Sequence, residues 1–139
     1  METIKELAAQ YLKEGNNCAE TVSKVSNDMM DLHMNDEMFR MMSVLGGGVG
    51  GSGDICGALN SACLILGLLV GRANPGEKTK PEMNGPVHEF YQLWMNRFGS
   101  SDCRVLKSPA NGGPVSCPEL MTVTAEMLAQ FIKEKGLLA

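Results

Sequence analysis

The sequence predicts an all-α fold, arranged as a single-domain bundle of about five to six helices. Apolar residues recur at helical spacing in successive segments, and no stretch of four or more residues alternates as a strand would. Residues that favour helix starts precede these segments, and glycine follows most of them. A chain of 139 residues is long enough to bury its own core, so we expect residues 1–139 to form one domain.

The first two predicted helices are separated by a short turn. Helix one runs from about Thr3 to Lys13 and ends at Gly15, and Asn16-Asn17 can then cap helix two. The apolar stripe of helix two has members three or four positions apart: Cys18, Val22, Val25 and Met29. This spacing predicts that Cys18 faces the core.

A glycine-rich segment separates the third and fourth predicted helices. Asn35 is a favourable N-cap for helix three, and Gly46-Gly47-Gly48 ends it. Its predicted apolar face contains Met38, Met41, Met42 and Leu45. The glycine-rich segment continues to Gly53, and Asp54 is then a favourable N-cap for a central apolar helix that ends at Gly71.

The next part of the chain is predicted to be a surface loop followed by an aromatic helix. Arg72 to Gly85 is polar and rich in turn formers. Pro86 suits the first position of the following helix, which ends at Gly99. The predicted inner face of this helix contains Val87, Tyr91, Trp94 and Phe98.

Two helix starts remain near the C-terminus, and each coincides with a cysteine. Asp102 can cap a short turn that contains Cys103. Ser116 and Glu119 match a capping box around Cys117, which predicts a last helix that continues to Gly136. The predicted inward residues of that helix are Leu120, Val123, Met127, Leu128 and Phe131.

Composition excludes several functional classes. The net charge is −4 with no basic stripe, so we expect no nucleic-acid partner. The N-terminus lacks the apolar region of a secretory signal, and the run Ala58 to Gly71 is shorter than the ~20 residues of a bilayer span, so we expect no membrane insertion. These features predict a cytoplasmic location, where several cysteines indicate metal or redox chemistry rather than structural disulfides.

Four of the five cysteines stand near predicted helix starts: Cys18, Cys56, Cys103 and Cys117. The positive end of a helix dipole favours a thiolate, the form that attacks disulfides and binds metals, so we expect these four to be catalytic. Cys56 is expected to be the attacking thiolate, with Gly53 and Gly57 leaving room for a partner sulfur, substrate or cofactor. Cys63 lies in the middle of the central helix, which predicts a raised pKa and an inert thiol.

The spacing of these cysteines leaves the chemistry open. No two of them form a C-x-x-C pair, so any partnership depends on the fold. Two thiols within disulfide distance would make a reversible dithiol, whereas convergence of Cys18, Cys56, Cys103 and Cys117 would give a four-thiolate metal or iron–sulfur site. A helical interaction module without catalysis is the third alternative, and an exposed methionine-rich face would provide an interface for a homo-oligomer.

Several of these segments together match a known pattern. The markers are Gly15-x-Asn17-Cys18-Ala19, the run Cys56-Gly57-Ala58-Leu59-Asn60-Ser61-Ala62, Phe98-Gly99 through Cys103-Arg104, and Cys117. With them the chain resembles the C_GCAxxG_C_C family, small bacterial and archaeal proteins described as redox-active. The resemblance implies cysteine-based redox activity or cluster binding, with an unidentified redox partner. The family motif has glycine where this chain has Ser61.

Overall fold

A computed structural model of the chain describes residues 3–107 and 118–138 together with the backbone of Cys117. These residues form seven α-helices and no sheet: α1 Ile4–Lys13, α2 Cys18–Met30, α3 Asp36–Ser43, α4 Gly57–Val70, α5 Asn84–Phe98, α6 Cys103–Lys107 and α7 Cys117–Lys135. The predicted all-α fold is thereby confirmed. None of the helices in the described ranges combines the length and the apolarity needed to cross a bilayer.

The first three helices begin where their capping residues predict. Thr3 accepts a hydrogen bond from the backbone of Glu6 at the start of α1. Asn17 and Glu20 form a reciprocal capping box at the start of α2, with both hydrogen bonds within 3.0 Å. Asn35 caps α3 through the backbone N–H of Met38. These side chains satisfy helix N–H groups that have no partner within the helix, so the three starts are determined locally.

The start of α4 differs from the prediction. Asp54 does not cap this helix; Cys56 itself occupies the N-cap position, and α4 begins at Gly57. The reason is tertiary, because Ile55 forms an antiparallel bridge with Asp102 and the N–H of Cys56 donates to the carbonyl of Ser101. Ile55 is accordingly outside the helix and 41% exposed.

The centre of the bundle is built around α4 and closed by α5 and α7. The buried faces of these three helices supply Leu59, Ile65, Leu66, Phe90, Trp94, Met121, Leu128 and Ile132. Trp94 donates its indole N–H to the hydroxyl of Thr124 at 2.9 Å, and the rings of Phe90 and Phe131 meet edge to face. Because both contacts join α5 to α7, they fix the packing of these helices across the core.

Some methionines predicted to lie in the core are on the surface. Met29 is 39% exposed and Met41 is 71% exposed, whereas Met42 is buried. Met29 lies near the end of α2, and Met41 lies on the solvent-facing side of α3. Met34, Met38, Met41 and Met42 line a shallow apolar groove against α4. The helical periodicity of apolar residues does not by itself show which side of a short helix packs against the rest of the protein.

Candidate thiol site

Two cysteines are placed by the short extended pairing that precedes α4 and α6. The backbone N–H of Cys56 donates to the carbonyl of Ser101, and the N–H of Cys103 donates to the carbonyl of Asp54, both at 2.7 Å. These bonds flank the bridge between residues 55 and 102. Side chains alternate between the two faces of an extended pairing. Cys56 follows Ile55 and Cys103 follows Asp102, so both cysteines point to the face opposite to these bridged residues.

The third cysteine approaches from α2. Asn17 caps that helix and also donates its side-chain N–H to the carbonyl of Ser43, which ties the start of α2 to the end of α3. Cys18 follows directly, and its sulfur lies against Gly57: a Cβ atom built on this glycine would stand only 2.6 Å from Cys18 Sγ. Glycine at this first position of α4 therefore leaves the space that the Cys18 thiol occupies.

The three thiols share one small cavity. Its volume is about 20 Å³, which is enough for one water-sized group. The lining residues are Cys18, Cys56, Gly57, Cys103, Leu106, Lys107 and Leu120. Cys56 and Cys103 are buried, at 3% and 7% exposure, whereas Cys18 is partly exposed. The fold thus gathers three cysteines from distant parts of the chain, and Cys18 is the least buried of them.

Burial dominates the electrostatics of Cys56. Loss of solvent raises the pKa of the Cys56 thiol from its ordinary value of 9.0 to about 11. The backbone N–H groups of Leu59 and Ala58 lower this pKa, although neither makes a full capping hydrogen bond, and Cys18 and Cys103 raise it slightly further. The expected thiolate at Cys56 therefore does not agree with the structure, because desolvation of the charged form outweighs the helix terminus.

Alkylation should reveal this shift. With a pKa of about 11, only about one Cys56 in ten thousand is a thiolate at pH 7. Since only the thiolate reacts, the rate of carbamidomethylation at Cys56 is expected to rise tenfold per pH unit and to level off only near pH 11. Peptide mass spectrometry after timed iodoacetamide pulses measures this rate, with urea-unfolded protein as the control. Levelling below pH 9 in the folded protein would contradict the assignment.

The loop before Cys56 packs on α6. The guanidinium of Arg104 donates to the carbonyl of Ser52 at 2.6 Å, and a Cβ on Gly53 would lie 2.5 Å from Arg104 Nε. Gly53 thus allows close contact with Arg104, while its expected role in binding a cofactor stays a prediction. Asp102 caps α6 through the N–H of Arg104, as the sequence predicts.

Cys117 begins α7, and its side chain lies outside the described residues, as does Ser116 of the predicted capping box. Within the part of the chain that the structure describes, no group of three or more His, Cys, Asp or Glu side chains is arranged to hold a metal ion. The structure therefore joins Cys18, Cys56 and Cys103, and the fourth member of the expected set stays a prediction.

One protein family matches most of the chain. The family described as "Putative redox-active protein (C_GCAxxG_C_C)" matches residues 16–131, which span α2 to most of α7. The chain belongs to the C_GCAxxG_C_C family. No curated protein and no solved structure matches the chain. The family relation places the chain among proteins described as redox-active, and the thiol cavity lies inside the matched range.

In this member of the C_GCAxxG_C_C family, Cys63 is separate from the cavity. Cys63 is partly buried within α4, and burial raises its pKa to about 11, which confirms the predicted raised pKa. Its side chain is absent from the described lining of the thiol cavity. A thiol that is rarely ionised and lies apart from the other three supplies a natural control for chemistry at Cys56.

Sequence reasoning missed four residues that shape this site of the C_GCAxxG_C_C protein. Leu106 and Leu120 close the cavity, and Lys107 also lines it. Helical spacing was the available signal for Lys107, because it lies one turn after Cys103 on α6. Ser61 was noted only as a departure from the family motif; it is fully buried, and its hydroxyl donates to the carbonyl of Ala19 at 2.9 Å.

Proposed function

We propose that this protein is a cytoplasmic thiol redox protein in which Cys18 and Cys56 form a reversible disulfide. The observation that carries the proposal is the convergence of three thiols, from α2, α4 and α6, on one cavity of about 20 Å³. Membership of a family described as redox-active supports the same conclusion.

Packing favours Cys18 as the partner of Cys56. The Cys18 sulfur lies against Gly57, the residue that follows Cys56. In this proposal Cys103 is the third thiol, within reach of the same cavity.

Disulfide exchange takes two steps, and the different exposure of Cys18 and Cys56 determines which of them attacks first in this proposal. Cys18 is the least buried of the three cysteines, so in this proposal it attacks a sulfur of an incoming disulfide, forms a mixed disulfide and expels one thiol of the substrate. Cys56 then attacks Cys18 Sγ and expels the second substrate thiol. One substrate disulfide is reduced, two protein thiols are oxidised, and their two protons leave with the released thiols. The N–H groups of Ala58 and Leu59 favour the charge that Cys56 carries during the second step.

Disulfide mapping of the full chain tests the proposal. Protein purified without oxygen is first analysed for iron, zinc and acid-labile sulfide, and then equilibrated with oxidised dithiothreitol. After the remaining thiols are alkylated, peptide mass spectrometry identifies the pairs. We expect a predominant pair between Cys18 and Cys56 that dithiothreitol reverses.

Two other results would overturn this function. Stoichiometric metal that is lost whenever any one of Cys18, Cys56, Cys103 and Cys117 is replaced would establish the four-thiolate alternative. Thiols that remain reduced and metal-free under oxidising conditions would favour the alternative of an interaction module.

A further inference from the structure

One face of α4 receives the first turn of α2 through two adjacent contacts. Gly57 and Ser61 are four residues apart on α4, so they lie one above the other on the same face. The Cys18 sulfur rests against Gly57, and the carbonyl of Ala19 accepts a hydrogen bond from Ser61 Oγ at 2.9 Å. Consecutive residues of α2 are thus held by consecutive turns of α4.

The Ser61 hydrogen bond spans 42 residues of sequence and is buried. Within a helix the carbonyl of Ala19 already has a backbone partner, so this bond is additional to the helix's own pattern. Its effect is therefore between helices: it fixes the height and rotation of the first turn of α2 on α4. Cys18 is the residue next to the anchored carbonyl.

We propose that Ser61 is a positioning residue that holds the Cys18 thiol over Gly57 in register with Cys56. The inference rests on the proposed Cys18–Cys56 dithiol. The Ser61 side chain therefore adds an anchor beside the proposed redox pair.

The equilibrium between the dithiol and the disulfide is the appropriate readout. Disulfide formation joins Cys18 Sγ to Cys56 Sγ while one oxidised dithiothreitol is reduced, so the equilibrium constant measures how well the two protein thiols are preorganised. Loss of the anchor is expected to lower this constant by about 3- to 10-fold, which corresponds to about 0.7–1.4 kcal/mol and lies within the range for the contribution of one hydrogen bond.

The experiment compares the full-length chain with Ser61→Ala and Thr124→Ala. Alanine keeps α4 helical and removes only the hydroxyl. Thr124→Ala is the matched control, because it also removes one buried hydroxyl and one interhelical hydrogen bond, but between α7 and α5. Quantitative mass spectrometry of alkylated samples, equilibrated with dithiothreitol of known redox ratio, gives the three constants. Ser61→Ala is expected to show the 3- to 10-fold reduction, and Thr124→Ala a change of less than about twofold.

Each other result has a definite meaning. Equal reductions in both variants would show that general loss of stability, rather than positioning, governs the equilibrium, and would overturn the inference. Unchanged constants in both variants would also overturn it while leaving the Cys18–Cys56 function intact. Absence of a Cys18–Cys56 disulfide in the unmodified protein would instead overturn the proposed function, and the inference with it.

Discussion

Replacing Cys56 with serine is expected to abolish reversible disulfide formation with Cys18. Cys56 occupies the N-cap of α4 and is 3% exposed within the thiol cavity. Serine is nearly the same size and is a favourable N-cap residue, so Cys56→Ser should fold while lacking the sulfur that resolves the mixed disulfide. Oxidation with a small disulfide should then stop at a stable mixed disulfide on Cys18, which intact-mass measurement detects as a persistent adduct.

The matched control for this variant is Cys63→Ser. It makes the same chemical change in the same helix, at a thiol that shares the raised pKa of about 11 but lies away from the cavity. We expect Cys63→Ser to form the Cys18–Cys56 disulfide as the unmodified protein does. Equal activity of the two variants would show that the cavity is not the redox site.

Replacing Gly57 with alanine is expected to destabilise the protein by about 1–3 kcal/mol, because the new methyl group overpacks a close contact. A Cβ at this position would lie 2.6 Å from Cys18 Sγ and 2.7 Å from the backbone carbonyl oxygen of Leu45. The backbone oxygen cannot turn aside as a side chain can, so α2 or the end of α3 must shift. Urea denaturation monitored by circular dichroism measures the loss, and disulfide formation should slow as Cys18 is displaced.

Gly67 provides the control, since it is a glycine in the same helix with open space around it. A Cβ at Gly67 would meet no atom within 4 Å. Alanine is a better helix former than glycine, so Gly67→Ala is expected to stabilise the protein by about 0.5–1 kcal/mol. Opposite signs for the two variants are the expected result. Destabilisation of similar size in both would mean that glycine at residue 57 is not required for packing against Cys18.

Local chemistry accounts for the features of the fold that the sequence predicted correctly. Thr3, Asn17 and Asn35 satisfy N–H groups within three residues of themselves, so these helix starts need no information from the rest of the chain. The prediction for the start of α4 was wrong because that start depends on contacts with a distant part of the chain. Asp54 is a good capping residue, but its backbone carbonyl accepts a hydrogen bond from the N–H of Cys103, which is distant in sequence.

At the thiol site, too, local features could be predicted from the sequence and features that depend on packing could not. Sequence alone singled out Cys18, Cys56 and Cys103 as candidate site residues and set Cys63 apart, because position relative to a helix start is a local property, and the structure places these three in one cavity. Sequence could not determine the protonation of Cys56, because the helix terminus that favours its thiolate is local whereas the burial that opposes it comes from packed neighbours.

By itself, then, the sequence determined the helical class of this protein, most of its helix ends and the cysteines worth examining. Tertiary structure decided which of those cysteines meet, which one is least buried and what anchors them. The bridge between Ile55 and Asp102, the fit of Cys18 against Gly57 and the hydrogen bond from Ser61 to Ala19 each join residues at least 39 positions apart. Such contacts exist only once the helices have packed, since burial and interhelical distance are properties of the assembled core.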